Sequence, residues 1–445
     1  MNYTYKKRRK AKGAYLAIIL SLVIVTALAV CGVVLLLTRN TNEAEAPVED
    51  VPDGRPVIDE VRGVWVPSVY NLTFPSKADL SKEELQAEID SILDTAEKSG
   101  LNSVFFQVRP SCDALYPSKI FSVSSVLSTD GTLKLDCLGY MVEKAHEKGI
   151  AIYAWVNPLR VTAAKCGIEE LPETSAAYAL KDTLVSYDGR LYFDAGRPEV
   201  RKLICDGVKE IAENYKVDGI VFDDYFYPYP VYEENDDGTK SLAVFADEAT
   251  FAEYGNGMTL SDFRRENINT LIKEAYETIK QTDNKISFGV APFGIWQNDD
   301  GSNGGSLTKG AQSYSDNYSD TLAWIKEGYV DFIAPQLYWD MNSTAASYKV
   351  LSKWWDARVS ECNEAANGKD SHEISLLISH GIYRYADSFS EGEITNQLEY
   401  SSELPSYKGS VFYAFNALRD NENGVTDEIK NYYASKDSAE AESDN

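Results

Sequence analysis

Apolar residues recur along the middle of the chain in eight short runs, and a segment with helical periodicity follows each run. The runs are almost continuously apolar, which is typical of parallel strands covered on both faces. They occupy residues 61–69, 102–108, 150–157, 218–224, 286–293, 330–339, 373–382 and 410–418. The helical patterns occupy residues 81–99, 136–148, 198–215, 260–281, 318–327, 345–361, 391–400 and 425–435. Eight successive strand and helix units predict an α/β fold, a (β/α)₈ TIM barrel.

The connections between these units differ in length according to their direction. Helix-to-strand connections are short, whereas four strand-to-helix connections are long, at residues 109–135, 158–197, 225–259 and 294–317. Barrel enzymes build their sites from the loops that follow the carboxyl ends of the strands. A doubly wound open sheet is the alternative fold, but it requires a glycine-rich turn after its first strand, and VPSVYNLTFP is not such a turn.

The N-terminus has the pattern of a membrane anchor. Residues 13–37 carry no charge, and the six basic residues before them place the N-terminus in the cytoplasm by the positive-inside rule. Two cleaved alternatives are open. A signal peptide could end at the small residues 27–29, although the apolar run continues past them, and a lipoprotein signal at 28–31 would have Val30 where a small residue is usual. All three interpretations export the rest of the chain.

These patterns divide the chain into five segments. They are a cytoplasmic basic tail at residues 1–12, a transmembrane signal anchor at 13–38, a linker at 39–60, the barrel domain at 61–436 and an acidic tail at 437–445. The lipid bilayer, contacted through residues 13–38, is therefore one predicted partner, and the predicted location is the cell membrane with the barrel outside.

Charge and cysteine content narrow the range of functions. The net charge is −26, and all of the excess acid lies after the anchor, so nucleic acid is a poor partner. The six cysteines show no CxxC spacing and the three histidines form no HExxH motif. We therefore expect no metal site and no cofactor.

The fourth apolar run leads directly into two carboxylates, Asp223 and Asp224. Side chains alternate along a strand, so Gly219, Val221 and Asp223 share one face. A glycine suits the crowded barrel axis, which makes Asp223 the first choice for a carboxylate that reaches the pocket, with Asp224 beside it. Two solvated loop acids, or caps of the next helix, are the alternative interpretation.

Other strand ends carry groups that suit a sugar, whose C–H faces stack on aromatic rings and whose hydroxyls bind amides, arginines and carboxylates. The predicted substrate-binding residues are Gln107, Arg109, Trp155, Asn157, Arg160, Tyr225, Tyr227, Trp296, Gln336, Tyr338, Trp339, His380 and Asn416. For each aromatic residue core packing is the alternative, and for His380 it is a buried, hydrogen-bonded histidine. A glycosidase needs a second carboxyl group, and Asp113, Glu253, Asp340 and Asp224 are the choices.

The same segments resemble glycosyl hydrolase-like family ten, a family of bacterial barrels with exported members. The resemblance runs in order along the chain through RGVW (62–65), FFQVRP (105–110), DALY (113–116), AWVNPLRV (154–161), VDGIVFDDYFYP (217–228), DFRRENIN (262–269), APFGIW (291–296), APQLYW (334–339) and HGIYR (380–384). It implies glycoside hydrolase activity, and some members resemble enzymes that cut peptidoglycan glycan strands lacking stem peptides. The Asp218-to-Asp223 spacing is similar to strand-four signatures of other barrel glycosidases.

Two functions follow from these observations. The first is a glycoside hydrolase that acts on a cell-wall or surface glycan, such as peptidoglycan glycan strands, by carboxylate catalysis. The second is a catalytically inactive barrel that binds glycan and serves as a wall-associated scaffold. Fold alone does not separate them, because the same barrel hosts many functions.

Overall fold

The computed structural model describes residues 54–234, 238–366 and 373–443. The anchor predicted at residues 13–38 lies outside these ranges, as do the basic tail before it and most of the linker after it. Within the described ranges, no helix has both the length and the apolar composition needed to cross a bilayer.

Eight parallel strands close into a barrel, which confirms the predicted fold. Strands β1 to β8 are Val61–Val66, Ser103–Arg109, Ala151–Val156, Gly219–Phe222, Ser287–Val290, Phe332–Ile333, Ser375–His380 and Tyr407–Phe412, and the sixth continues after a break as Gln336–Leu337. Strands adjacent in sequence pair in parallel, and β1 pairs with both β2 and β8. Because β6 pairs with both β5 and β7, the ring is complete.

An outer helix follows each barrel strand. Helices α1 to α8 are Lys82–Lys98, Cys137–Glu147, Pro198–Asn214, Leu260–Thr282, Thr321–Glu327, Tyr348–Ala366, Glu393–Ser402 and Val425–Ser443. Polar side chains fix several helix starts, since Ser81, Asp136, Thr259 and Asp320 each accept a hydrogen bond from a backbone N–H of the first turn.

The end of the chain differs in detail from the sequence pattern. The apolar run at 410–418 contains the end of β8 and then a short helix, Phe415–Arg419, because a short apolar run does not distinguish the two structures. Helix α8 extends to Ser443, into the segment predicted as an acidic tail. Asp437 in this helix accepts a hydrogen bond of 2.7 Å from Arg62, which joins the helix to β1.

Large inward-facing side chains fill the barrel axis. Phe105 and Tyr153 stack with ring centroids 4.2 Å apart, and Phe332 meets both rings edge-on. A Cβ at Gly219 would lie 2.3 Å from the Tyr153 ring, so only glycine fits there. Gly219 therefore faces inward, and Val221, which also belongs to the interior cluster, faces the same way. This alternation directs the next residue but one, Asp223, to the axis above the packed core.

The long strand-to-helix loops carry small elements of their own. They contain an antiparallel hairpin of Leu184–Tyr187 with Arg190–Phe193, and the antiparallel pair Tyr232–Glu234 with Lys240–Leu242. Glu248–Tyr254 forms a short helix in the loop after β4. All of these loops follow carboxyl ends of strands, as predicted, so they surround one end of the barrel.

Candidate active site

A cavity of about 180 Å³ opens at the carboxyl end of the barrel strands. Residues from the ends of six strands and the loops that follow them form its walls. The lining residues are Trp65, Trp155, Asp223, Asp224, Tyr225, Ala291, Gln336, Tyr338 and Tyr413. This is the end of the barrel at which the fold places active sites.

Asp223 lies at the base of this cavity and is only 3% exposed. Its Oδ2 accepts two hydrogen bonds of 3.0 Å, one from Trp155 Nε1 and one from Asn157 Nδ2. Its Oδ1 is buried and has no hydrogen-bond partner among the described residues. Burial raises the pKa of this carboxyl to about 7, although Arg160 and the two N–H donors act in the opposite direction.

The loop after β3 holds the partners of Asp223 in place. Asn157 Oδ1 accepts a hydrogen bond of 3.0 Å from the backbone N–H of Arg160, which directs the amide Nδ2 toward Asp223. The Arg160 guanidinium donates two hydrogen bonds to the carbonyl of Pro110, at 3.0 and 2.6 Å, and its carbon lies 5.2 Å from the Tyr225 ring centroid. Arg160 therefore supports the site from the side and adds positive charge near both carboxyl groups.

Asp224 is also buried, and the tyrosine-rich loop after β4 turns back to meet it. The Tyr229 hydroxyl donates a short hydrogen bond to Asp224 Oδ2. Burial raises the pKa of the Asp224 carboxyl, while hydrogen bonds from Tyr229 and Gln336 lower it. Each of the two carboxyl groups therefore holds its proton more readily than a solvent-exposed aspartate does.

Aromatic rings form the remaining walls. Trp65 and Trp155 meet edge-to-face, with centroids 5.1 Å apart. Tyr338 and Tyr413, which also line the cavity, stack with ring centroids 5.5 Å apart. Burial raises the pKa of Tyr413 to about 12, so its hydroxyl stays protonated and can donate a hydrogen bond. Such walls offer flat apolar faces and a few hydroxyl groups, which is the surface that a sugar ring needs.

The structure brings together eight of the residues predicted from the sequence. Six of them line the cavity, and Asn157 and Arg160 lie immediately behind it. The six are Asp223, Asp224, Trp155, Tyr225, Gln336 and Tyr338. Gln336 is oriented by a hydrogen bond of 3.0 Å from its Nε2 to the carbonyl of Ala291.

Arg109 lies elsewhere, because β2 contains a bulge. The pairing of β2 with β3 shifts register between Gln107 and Arg109, so the alternation of side chains reverses and Arg109 faces the helix layer. Its guanidinium lies 3.6 Å above the Phe121 ring and directly against Gly207 of α3.

Gln107 and His380 are held by other parts of the fold. Gln107 Oε1 accepts the backbone N–H groups of Ser68 and Val69, both at 2.9 Å. The His380 side chain is fully buried between the ring of strands and the helix layer. Its Nδ1 lies 2.9 Å from Gln397 Oε1 of α7, and its Nε2 lies 2.7 Å from Ser410 Oγ of β8. Burial lowers the pKa of His380 to about 4, so this histidine is neutral and packs as a structural residue.

Four further residues predicted to bind substrate lie outside the cavity. Tyr227 is buried under its own loop against Phe245. Trp296 stacks on Trp354 at 5.9 Å, and Trp339 meets Phe293 edge-on at 5.7 Å. Asn416 accepts a hydrogen bond of 3.1 Å from Thr73, which joins the loops after β8 and β1. Each one supports a loop around the mouth of the barrel.

The other carboxyl groups considered as a second catalytic acid also lie apart from Asp223. Asp113 accepts hydrogen bonds from Ser111 and Ser124, which close its own loop. Glu253 forms an exposed ion pair with Arg197 at 3.0 Å. Asp340 accepts a backbone hydrogen bond of 2.8 Å from Asn342 within a turn. Asp224 is thus the second carboxyl group of the cavity.

Four residues of the site were missed from the sequence. Trp65, Ala291 and Tyr413 line the cavity, and Tyr229 bonds to Asp224. For the first three a signal was available, since Trp65 and Ala291 belong to the interior cluster and Tyr413 packs against it from two residues beyond Val411, an inward position of β8. The position of Tyr229 depends on the fold of its loop, which strand alternation does not predict.

The contacts of Gln107 predict a structural role that can be measured. Replacing Gln107 by alanine leaves the buried N–H groups of Ser68 and Val69 without their acceptor, so we expect the free energy of unfolding to fall by about 2–4 kcal/mol. Urea unfolding followed by circular dichroism measures this change. Gln281→Ala, at an exposed position of α4, is the control and should change stability by less than about 0.5 kcal/mol. Equal stability of the two variants would contradict the assignment.

The chain is similar to a known protein family over most of its length. The model of the family Glycosyl hydrolase-like 10 matches residues 60–367. Glycosyl hydrolase YngK of Bacillus subtilis (strain 168) is 34% identical over 387 residues, which cover 85% of this chain and 72% of that protein. Glycosyl hydrolase DigH of Escherichia coli O6:H1 is 37% identical over 382 residues, covering 79% of this chain and 82% of that protein.

Among solved structures, the glycoside hydrolase domain of PgaB (BpsB) from Bordetella bronchiseptica has a TM-score of 0.49 and 13% identity, covering 84% of this chain and 99% of that chain. The family match spans more than half of the sequence, and the two relatives are similar over most of their own length. The resemblance stated from the sequence motifs is therefore confirmed, and the chain belongs to the glycosyl hydrolase-like 10 family.

Proposed function

We propose that this protein hydrolyses glycosidic bonds in a cell-wall or surface glycan, with Asp223 and Asp224 as its catalytic carboxyl groups. The observation that carries the proposal is a pair of buried carboxyl groups in an aromatic cavity at the carboxyl end of the barrel. Glycoside hydrolysis needs a proton donor for the leaving oxygen and negative charge beside the oxocarbenium-like centre. Membership of a glycosyl hydrolase-like family supports the same conclusion.

The electrostatics of the pair suit this chemistry. Burial raises the pKa values of both carboxyl groups, and that of Asp223 reaches about 7. One of the two can therefore keep a proton for the leaving group while the other is ionised. The rings of Trp65, Tyr338 and Tyr413 line the cavity beside the pair and lower the local polarity, which strengthens both effects.

The proposed substrate class follows from the proposed location. The charge pattern around residues 13–38 supports a location of the barrel outside the membrane, where polysaccharide and peptidoglycan glycan strands are the available glycans. Protease added to intact protoplasts of the producing cells should degrade the barrel, and a cytoplasmic marker protein should survive. Protection of the barrel until the cells are lysed would contradict this topology.

A panel of glycans tests the activity directly. The full chain in detergent is incubated with surface polysaccharides and with peptidoglycan before and after removal of stem peptides, and new reducing ends are counted. We expect turnover of at least one glycan. Binding of a glycan without turnover would favour the alternative, a glycan-binding barrel that serves as a wall-associated scaffold. Neither binding nor turnover across the panel would contradict both functions.

A further inference from the structure

The two carboxyl groups of the cavity stand on the same wall. Asp223 and Asp224 are consecutive residues at the end of β4, whereas β8, four strands away in the ring, contributes Tyr413. Among the described residues that line the cavity, no carboxyl group comes from β1, β6 or β8. A double displacement between two enzyme carboxylates places the nucleophile and the acid on either side of the scissile bond. The strand opposite the pair contributes an aromatic residue, Tyr413, instead.

A nucleophile that the protein does not supply across the cavity can come from the substrate. A sugar with an acetamido group at carbon 2 carries such a nucleophile, because the amide carbonyl oxygen can reach the anomeric carbon of the same ring. That reaction needs two groups from the enzyme. One is an acid for the leaving oxygen, and the other is an acceptor that holds and polarises the amide N–H.

The base of the cavity has the features that an acetamido group needs. Asp223 Oδ2 accepts hydrogen bonds from Trp155 and Asn157. Its Oδ1 is buried and has no hydrogen-bond partner in the described part of the chain. A buried oxygen of this kind gains most from one hydrogen-bond donor. Beside it, the Trp65 and Trp155 rings and the small side chain of Ala291 form an apolar surface that suits a methyl group.

We propose that the cavity binds a 2-acetamido sugar unit, whose amide N–H donates to Asp223 and whose carbonyl oxygen is the nucleophile, while Asp224 protonates the leaving oxygen. This inference rests on the proposed glycosidase function. The raised pKa of Asp223 makes its carboxylate a better acceptor for the amide proton as positive charge develops on the amide. Tyr229, which bonds to Asp224 Oδ2, orients the acid.

The reaction balances in two steps. In the first, the Asp224 carboxyl proton passes to the glycosidic oxygen, the bond from this oxygen to the anomeric carbon breaks, and the amide carbonyl oxygen bonds to that carbon to form an oxazolinium ring. In the second, Asp224 takes a proton from water, the water oxygen bonds to the anomeric carbon, and the ring opens to restore the acetamido group. One water is consumed, and the configuration at the anomeric carbon is retained.

Matched substrates test the nucleophile. The full chain is given chito-oligosaccharides in three forms, which are N-acetylated, N-trifluoroacetylated and fully N-deacetylated, and hydrolysis is followed by proton NMR. We expect retained configuration with the first, turnover lower by about 10-fold or more with the second because its carbonyl is a weaker nucleophile, and no turnover with the third. Equal turnover of the acetylated and deacetylated forms, or inversion, would overturn the inference and leave the glycosidase function standing.

Two variants separate the roles of the aspartates. On a chitobioside with a 2,4-dinitrophenyl leaving group, which departs without protonation, Asp224→Asn should keep most of the wild-type kcat/KM, and Asp223→Asn should lose about 10²-fold. Melting temperatures check that both variants fold. Equal losses would overturn the division of roles.

A binding measurement decides the question independently of turnover. The thiazoline of N-acetylglucosamine and its β-1,4-linked disaccharide form imitate the oxazolinium ring, and calorimetry measures their Kd. We expect binding to the wild type and to Asp224→Asn, and weakening by about 10- to 100-fold in Asp223→Asn. If the glycan panel shows no turnover but the thiazoline binds through Asp223, the proposed hydrolase function fails and acetamido recognition stands. Absence of thiazoline binding to the wild type would overturn the recognition itself.

Discussion

Replacing Asp223 by asparagine is expected to lower turnover of the cleaved glycan by about 10³-fold or more, because a charge beside the oxocarbenium-like centre contributes several kcal/mol to its stabilisation. The variant keeps the shape of the site. Its amide oxygen can accept the hydrogen bonds from Trp155 and Asn157, and its NH₂ takes the position of the unpartnered Oδ1. Initial rates at fixed glycan concentration measure the loss.

The fold of this variant is checked by its stability at several pH values. The pKa of Asp223 is raised from 3.8 to about 7 in the folded protein, so ionisation opposes folding as the pH rises between these values. Asp223→Asn removes that cost, and its melting temperature should equal or exceed that of the wild type above pH 7. The matched control is Asp340→Asn, because Asp340 lies in a turn outside the cavity. Near-normal turnover of Asp223→Asn, or an equal loss in both variants, would contradict the assignment.

The sequence predicts which side chains face the barrel axis wherever a strand alternates regularly. Gly219 and Val221 face the axis, so Asp223 does too, and the same rule relates Tyr153 and Trp155 to Asn157. Applied to every strand, it would also have found Trp65, Ala291 and Tyr413. The direction of a side chain on its strand therefore predicts the lining of the cavity better than the chemical type of the residue does.

The same rule also predicts which of two neighbouring polar or aromatic residues faces the cavity and which faces the helices. Ala334 faces the axis, so Gln336 and Tyr338 line the cavity and Trp339 does not. Leu377 belongs to the interior cluster and Ser379 accepts a hydrogen bond from Trp65, so His380 must face the helices. These two placements could be predicted from the sequence, because side chains alternate in direction from Phe332 to Tyr338 and from Leu377 to His380.

Other features follow from three-dimensional contacts that the sequence pattern does not record. The bulge in β2 reverses the direction of Arg109, and a bulge depends on how two strands pair rather than on either strand alone. The return of Tyr229 to Asp224 depends on the fold of the long loop after β4. A buried ion pair between Asp247 of that loop and Arg264 of α4 holds the loop in place.

This ion pair makes Arg264→Leu the substitution with the largest expected effect on folding. The Arg264 guanidinium on α4 donates to both oxygens of Asp247, at 2.8 and 2.6 Å, and to the carbonyl of Phe245 at 3.0 Å. The Asp247 side chain is completely buried. Removing the cation leaves an uncompensated carboxylate in the interior, so we expect the free energy of unfolding to fall by about 3–5 kcal/mol.

Arg264→Leu should also disturb the active site, because the guanidinium carbon lies 5.4 Å from the ring of Tyr227. Tyr227 belongs to the loop between Asp224 and Tyr229. Turnover below the melting temperature should therefore fall by roughly 10-fold or more, as the Tyr229 contact loosens.

Adding Asp247→Asn to Arg264→Leu should restore part of the stability, since the unpaired charge is removed. Arg419→Leu breaks an exposed pair with Asp420 and should cost less than about 1 kcal/mol. If urea unfolding gave Arg264→Leu the same small effect as Arg419→Leu, the ion pair would not hold this loop, and the position of Tyr229 would need another explanation.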